Sequence, residues 1–286
     1  MRDAKELLDR KKLAETQKEI LGERNSYSKT DKDASAMKMK RSEEIKPGYN
    51  EGVVTENSFI TSFDVSQNAS DSVSFKKMIN ETIENIGHKP QSVSADAGYG
   101  SSENYAYLSE LTIENFVKYP GWFRENKFSG KFTFRNFKYN EMENSFSCLN
   151  DETLSFNRIN ERKSANGFKE VTSVYSANKT VCSKCPLKPW CTEFEFKNLH
   201  VNWNLQKQKE IVRENLNSEK GIQKRKQRAY DVETIFANQG SRRYLLRGLS
   251  KVTVEAGLFS ITHNIKKMFH FIHRTLYPES NFNWNI

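Results

Sequence analysis

The stretch Ser92–Glu110, SVSADAGYGSSENYAYLSE, decides how the chain is read. A short β-like segment runs into Asp96, turns on Ala97-Gly98-Tyr99-Gly100 and opens a helix at Ser101-Ser102-Glu103. A carboxylate at the end of a strand, held by a Gly-containing turn, is presented at the rim of an α/β sheet. The same aspartate can equally do no more than cap the turn, because Asp-x-Gly turns are common. The residues around it leave both readings open.

Outward from this stretch the pattern alternates. Tyr49–Glu56 and Phe59–Ser66 read as strands joined by the turn pair Asn57-Ser58, a hairpin. Ser72–Ile86 carries Val73, Met78, Ile79, Ile83 and Ile86 at helical spacing, with Gly87 as its stop and Pro90 beyond. The strand into Asp96 follows, then a helix over about 102–111 and a strand, ENFVKYP, closed by Pro120. A hairpin meander leading into alternating β and α units is the order of an α/β, ribonuclease-H-like core with a mixed sheet.

The alternation stops after Trp122. Residues 121–205 are rich in Phe, Asn, Lys and Ser, hold all four cysteines and show strand-like pieces such as GKFTFRNF and EVTSVYSA, which reads as an insertion. Helix is expected again over about 206–238 and 241–273, the second apolar at Leu245, Leu246, Leu249, Val252, Leu258, Ile261, Ile265 and Met268. The expected organisation is a helical arm (1–27), the first part of the core (28–120), the insertion (121–205), helices completing the core (206–273) and a tail (274–286).

Composition sets the partners. The formal charge is +9, and twelve Lys/Arg stand against five Asp/Glu between Gln206 and Lys251. Such a segment is either a solvated helical face or a surface for a polyanion. The chain has no run of eighteen apolar residues, and its start, MRDAKELLDRKK, lacks the apolar core of a signal peptide. A cytoplasmic protein without a membrane partner is therefore expected. In that compartment cysteines read as thiols or metal ligands. Cys182, Cys185 and Cys191 give C-x2-C-x5-C with Cys148 upstream. Four thiolates can close a tetrahedral structural Zn²⁺ site, and a cluster of reduced cysteines is the alternative.

A ribonuclease-H-like core places one carboxylate on its first strand, a second on its fourth and a third on a late helix. Together they hold two divalent ions, Mg²⁺ or Mn²⁺, about 3.5–4 Å apart at a phosphodiester. Asp96 suits the second position, and Glu233, in QRAYDVETIF on a basic helix, suits the third.

Six blocks in order from about residue 28 to residue 270 resemble bacterial DDE transposases of the IS1182-like group. They are TDKDA, KPGYNEGVVTEN, SADAGYGSSENYAYL, YSANKTVCSKCPLKPWCT, RAYDVETIF and RRYLLRGLSKVTVEAGLFSITHNIKKM. The resemblance makes Asp96 and Glu233 the second and third catalytic acids. The first is assigned to Asp31 of TDKDA, with Asp33 as close competitor and Glu56 as the topological alternative. It implies metal-dependent cleavage of transposon ends and strand transfer to target DNA, by a homodimer in synapsis, associated with the nucleoid. Arg228, Arg242, Arg243, Arg247 and Lys251 would meet DNA phosphates, and Trp122 and Phe123 could stack on an unpaired base. Two departures point to a truncated or decayed copy. Only ANQGS separates Phe236 from Arg242, where the family has a longer basic stretch, and the family's helical end-binding region is missing at the start. A DNA-binding remnant acting as a repressor, or a stand-alone nuclease, are the alternatives.

Overall fold

The computed structural model describes residues 2–39, 44–125, 132–164, 166–238 and 243–276. In chain order they form α1 (Arg2–Leu21), β1 (Ser35–Lys38), β2 (Ile45–Gly48), β3 (Asn50–Glu56), β4 (Phe59–Ser66), α2 (Phe75–Ile86), β5 (Ser92–Ala95), α3 (Ser102–Glu110) and β6 (Glu114–Val117). Next come β7 (Lys138–Asn140), β8 (Ser145–Ser147), β9 (Thr153–Lys163), β10 (Lys169–Ala177), α4 (Lys179–Ser183), α5 (Lys188–Cys191) and β11 (Asn198–Val201). Three helices close the sequence: α6 (Trp203–Asn217), α7 (Glu219–Asn238) and α8 (Leu249–Leu276). This mixed α/β architecture divides into two compact units, Met1–Pro90 with Lys226–Ile286, and Gln91–Arg225.

The first unit is built on the β3–β4 hairpin. Asn57 and Ser58 sit at φ 52° and 65°, the left-handed pair whose twist matches antiparallel strands. Alternation along β4 then sends side chains to two helices. Ser62 donates to the Met78 carbonyl of α2 (2.9 Å), while Phe63 and Val65 pack toward Val252, Ala256 and Gly257 of α8. Helix α2 buries Phe75, Met78, Ile79 and Thr82, and Gly87 at φ 75° closes it by donating to Ile83 O. β1 and β2 pair antiparallel as a separate ribbon.

Helix α8 departs from expectation in boundary and in face. It starts at Leu249, not near residue 241, because Gly248 at φ 87° turns the chain into it. Its buried residues are Val252, Ala256 and Ser260. Of the expected apolar residues, Leu249 and Val252 pack toward the hairpin beside the small Ala256, whereas Leu258, Ile261, Ile265 and Met268 are exposed.

In the second unit, β5 and β6 pair in parallel with α3 as the crossover between them. Tyr105, Leu108, Phe116, Val117, Val212 and Leu216 form a core between this β-α-β unit and α6. Downstream lies an antiparallel five-stranded sheet of order β11-β10-β9-β8-β7. Its core is Phe137, Phe146, Leu154, Tyr175, Leu199 and Val201, with Phe146 and Trp203 stacked at 6.0 Å. EVTSVYSA is strand β10 as expected, but Phe134–Asn136 of GKFTFRNF is a 3-10 turn. The single helix expected over 206–238 is two. Ser218 takes an extended conformation (ψ 159°), and its hydroxyl accepts from Gly221 N, which ends α6 and starts α7. Among the described residues no helix is long and apolar enough to cross a membrane.

Candidate active site

The acids expected to carry chemistry are each held by their own surroundings. Asp31 was expected on a first strand but lies in the turn ahead of β1. Its Oδ1 accepts from Asp33 N (3.2 Å), an Asx turn, and its Oδ2 accepts from the Tyr49 hydroxyl (2.8 Å) and from Gly248 N (3.2 Å). Asp33 Oδ2 accepts from Leu249 N at 2.8 Å. Both carboxylates thus sit at the N-terminus of α8, where unpaired amides and the helix dipole favour negative charge. Burial works to raise the Asp31 pKa. The hydrogen bonds from Gly248, Tyr49, Asp33 and Ala34 outweigh it and hold the carboxyl below its ordinary value. Burial and Asp31 together push the Tyr49 hydroxyl well up. Glu56, the topological alternative, ends β3 at the exposed edge of the hairpin turn.

The segment 243–249 is pinned at each step. Tyr244 donates to Glu51 (2.5 Å), and Leu245 N and Leu246 N donate to Glu255 (2.9 Å each). Arg243 and Arg247 in this segment, and Lys251 in the first turn of α8, are exposed. Arg242 lies outside the described residues. Glu233 stands exposed on α7, with no hydrogen bond or ion pair among the described residues, and Arg228 is half-buried five positions earlier.

Asp96 belongs to the second unit. It ends β5 and leads into a 3-10 turn at Ala97–Tyr99, with Tyr99 N donating to its carbonyl (3.0 Å). Lys118 of β6's exit stands 3.5 Å from its carboxylate. The turn has no room to spare, since a Cβ on Gly100 would lie 2.2 Å from the Lys118 carbonyl. Lys118 also lies over the Phe123 ring and Arg225 over Trp122, so both candidate stacking rings already carry a cation. Among the described residues no three His, Cys, Asp or Glu side chains are grouped so as to hold a metal ion.

The four cysteines do come together. Cys148 follows β8, Cys182 lies in α4, Cys185 in the next turn and Cys191 at the end of α5. All are free thiols, and all line one cavity of about 30 Å³, although among the described residues no three of them are grouped so as to hold a metal ion. Asn150 N donates to the Cys148 sulfur at 3.4 Å. Burial pushes the Cys191 thiol up, Lys197 opposes this, and the other three cysteines add to the rise.

Residues 147–269 match the family model of the transposase DDE domain. This match supports a DDE transposase, an enzyme class that acts on DNA and generally uses divalent metals. It takes in the cysteines, Glu233 and the exposed basic residues, whereas Asp31 and Asp96 lie ahead of it. No curated protein and no solved structure matches the chain.

Three charged groups of this transposase-like chain escaped the sequence reading. Asp64, buried on β4, pairs with Lys77 at 2.6 Å. Asp231, buried on α7, accepts from Ser58 (2.6 Å) and from Gln227 (2.9 Å). Glu125 receives Arg213 through two nitrogens at 3.1–3.2 Å. The Gln227–Asp231 spacing of four was a usable signal. Lys77 stands thirteen positions from Asp64 and Arg213 eighty-eight from Glu125, and neither spacing is a local pattern.

Proposed function

We propose that the chain is a DDE transposase of the IS1182-like group that acts on transposon ends, with Asp31, Asp96 and Glu233 as its acids on a ribonuclease-H-like plan. The observation that carries this reading is the family match at 147–269, which spans Glu233 on a helix whose neighbouring segment exposes Arg243, Arg247 and Lys251. A pair of Mg²⁺ or Mn²⁺ ions would activate the attacking oxygen and stabilise the leaving 3′-oxygen. Two of these acids are already engaged within their own units. Asp31 is engaged by Tyr49 and Gly248, Asp96 by Lys118, and no metal-holding group is formed among the described residues. The engaged Asp31 and Asp33 favour a second reading, a DNA-binding protein that no longer cleaves. A structural zinc site is proposed for the four thiols from the C-x2-C-x5-C spacing with Cys148 and the cavity they share, although as placed no three of them are grouped to hold a metal ion among the described residues.

The two functional readings separate in one experiment. A duplex carrying an inverted-repeat end is incubated with the chain and Mg²⁺ or Mn²⁺, following binding and nicking together. The transposase reading expects nicking that Asp96→Asn and Glu233→Gln abolish while binding stays. Binding with no nicking under either metal leaves the non-cleaving reading. No binding at low salt refutes both.

A further inference from the structure

Within the first unit, α7, α8 and the tip of the β3–β4 hairpin enclose a cleft of about 140 Å³. Its walls include Lys266, Lys267, His263 and His270 of α8, and Tyr230 and Asn238 of α7. The floor is tied by hydrogen bonds. His263 Nε2 lies 3.0 Å from the Ser58 carbonyl and donates to it, and the Ser58 hydroxyl donates to Asp231. Asp231 is the cleft's one acid, and its oxygens are already taken by Ser58 and Gln227. Lys266 and Lys267 form no ion pair among the described residues, so two ammonium groups border the cleft without a carboxylate partner.

We infer that this cleft seats a backbone phosphate of a DNA strand. The occupant is a polyanion because the cleft opens onto a line of hydrogen-bonding imidazoles and cations, with Lys267 and Arg274 supplying the charge. His263, Lys267, His270 and Arg274 recur at intervals of four, three and four on one face of α8. Eleven residues of helix extend about 16 Å, enough to follow successive phosphates and longer than a free anion uses. Lysine serves here as a point charge for phosphate, and contacts of this kind fix the register of a strand without reading its bases. Tyr230 and Asp231 lie within one turn of Glu233 on α7, so a strand held here runs beside that acid. The inference rests on the transposase reading and adds the surface that holds the strand.

The double variant Lys266→Gln/Lys267→Gln tests it, with Lys266→Arg/Lys267→Arg as the charge-preserving control. Duplex affinity is measured across a salt series. Loss of two phosphate contacts lowers affinity about tenfold or more at moderate salt and shallows the slope of log K against log salt by about two units. The arginine pair keeps both. Wild-type binding with an unchanged slope in the glutamine pair overturns the cleft assignment and leaves the transposase reading standing. A wild-type chain that binds no duplex defeats that reading itself. A parallel titration with inorganic phosphate follows the His263 and His270 imidazole resonances. Shifts there in a chain that does not bind duplex identify a free-phosphate site and overturn the DNA assignment.

Discussion

Two carboxylates and one glycine hold most of the site-level information. The amides of Gly248 and Leu249 would be orphaned at the start of α8 without Asp31 and Asp33. Asp31→Ala should therefore cost about 2 kcal/mol in urea unfolding, by stranding the Tyr49 hydroxyl and the Gly248 amide. Asp31→Asn keeps an acceptor and should cost less than half of that. If the two substitutions unfold alike, Asp31 is no cap. The lowered Asp31 pKa gives a pH dependence of definite sign. A carboxyl held below its ordinary 3.8 contributes stability that is present above that value and is lost as pH falls through the folded value. The wild type should lose stability below about pH 4, and Asp31→Asn should lose less. Gly100 governs the other acid. A methyl group there meets the Lys118 carbonyl at 2.2 Å and Tyr119 Cα at 2.9 Å, neither able to yield. Gly100→Ala should destabilise by about 3 kcal/mol, the upper range of overpacking, and displace Asp96 from Lys118. A variant that melts with the wild type would show that the turn can open.

At the scale of elements, the cysteine-bearing segments make the sharpest prediction. Two short helices, α4 and α5, and the turn after β8 bring four free thiols onto one cavity from segments up to 43 residues apart. Under the zinc proposal, protein purified under reducing conditions should carry one zinc per chain. Chelation should lower its melting temperature, and Cys182→Ser should remove the metal and that sensitivity together. Absence of zinc by metal analysis leaves the cysteines as packing thiols. This also marks what the sequence let through. The hairpin, α2, the β5–α3–β6 unit and the C-x2-C spacing were legible because turn residues and apolar periodicity set them locally. The break at Ser218 left no sign in the sequence, because a single serine within a polar helical run does not by itself mark a cap. The face of α8 was misread for another reason: periodicity tells where large apolar residues recur, while contact with β4 selected Val252, Ala256 and Ser260, which let the hairpin come close. The hold of Asp31 and Asp33 on residues 248–249 spans more than two hundred positions, and no local pattern encodes it.

At the scale of the molecule, the misread face of α8 becomes informative. Val254, Leu258, Ile261, Ile265, Met268 and Ile272 are exposed by 45–61% and recur at intervals of four, three, four, three and four. That is the heptad spacing at which one helix packs against another of the same pattern. Such a stripe is self-complementary, so a second copy of the chain is an occupant that the sequence itself supplies. Under the transposase reading proposed above, joining two ends needs two copies, and the basic line from His263 to Arg274 lies on the same helix as the stripe. The 33.3 kDa chain should therefore run as a dimer of about 67 kDa in light scattering at micromolar concentration. Ile261→Asp/Ile265→Asp should shift it to monomer with helix content unchanged, because both side chains are more than half exposed and leave no cavity behind. The monomer should still bind a single duplex through Lys266 and Lys267 yet fail to pair two ends in a bridging assay. A wild-type chain that is monomeric at that concentration removes the stripe as the dimer contact.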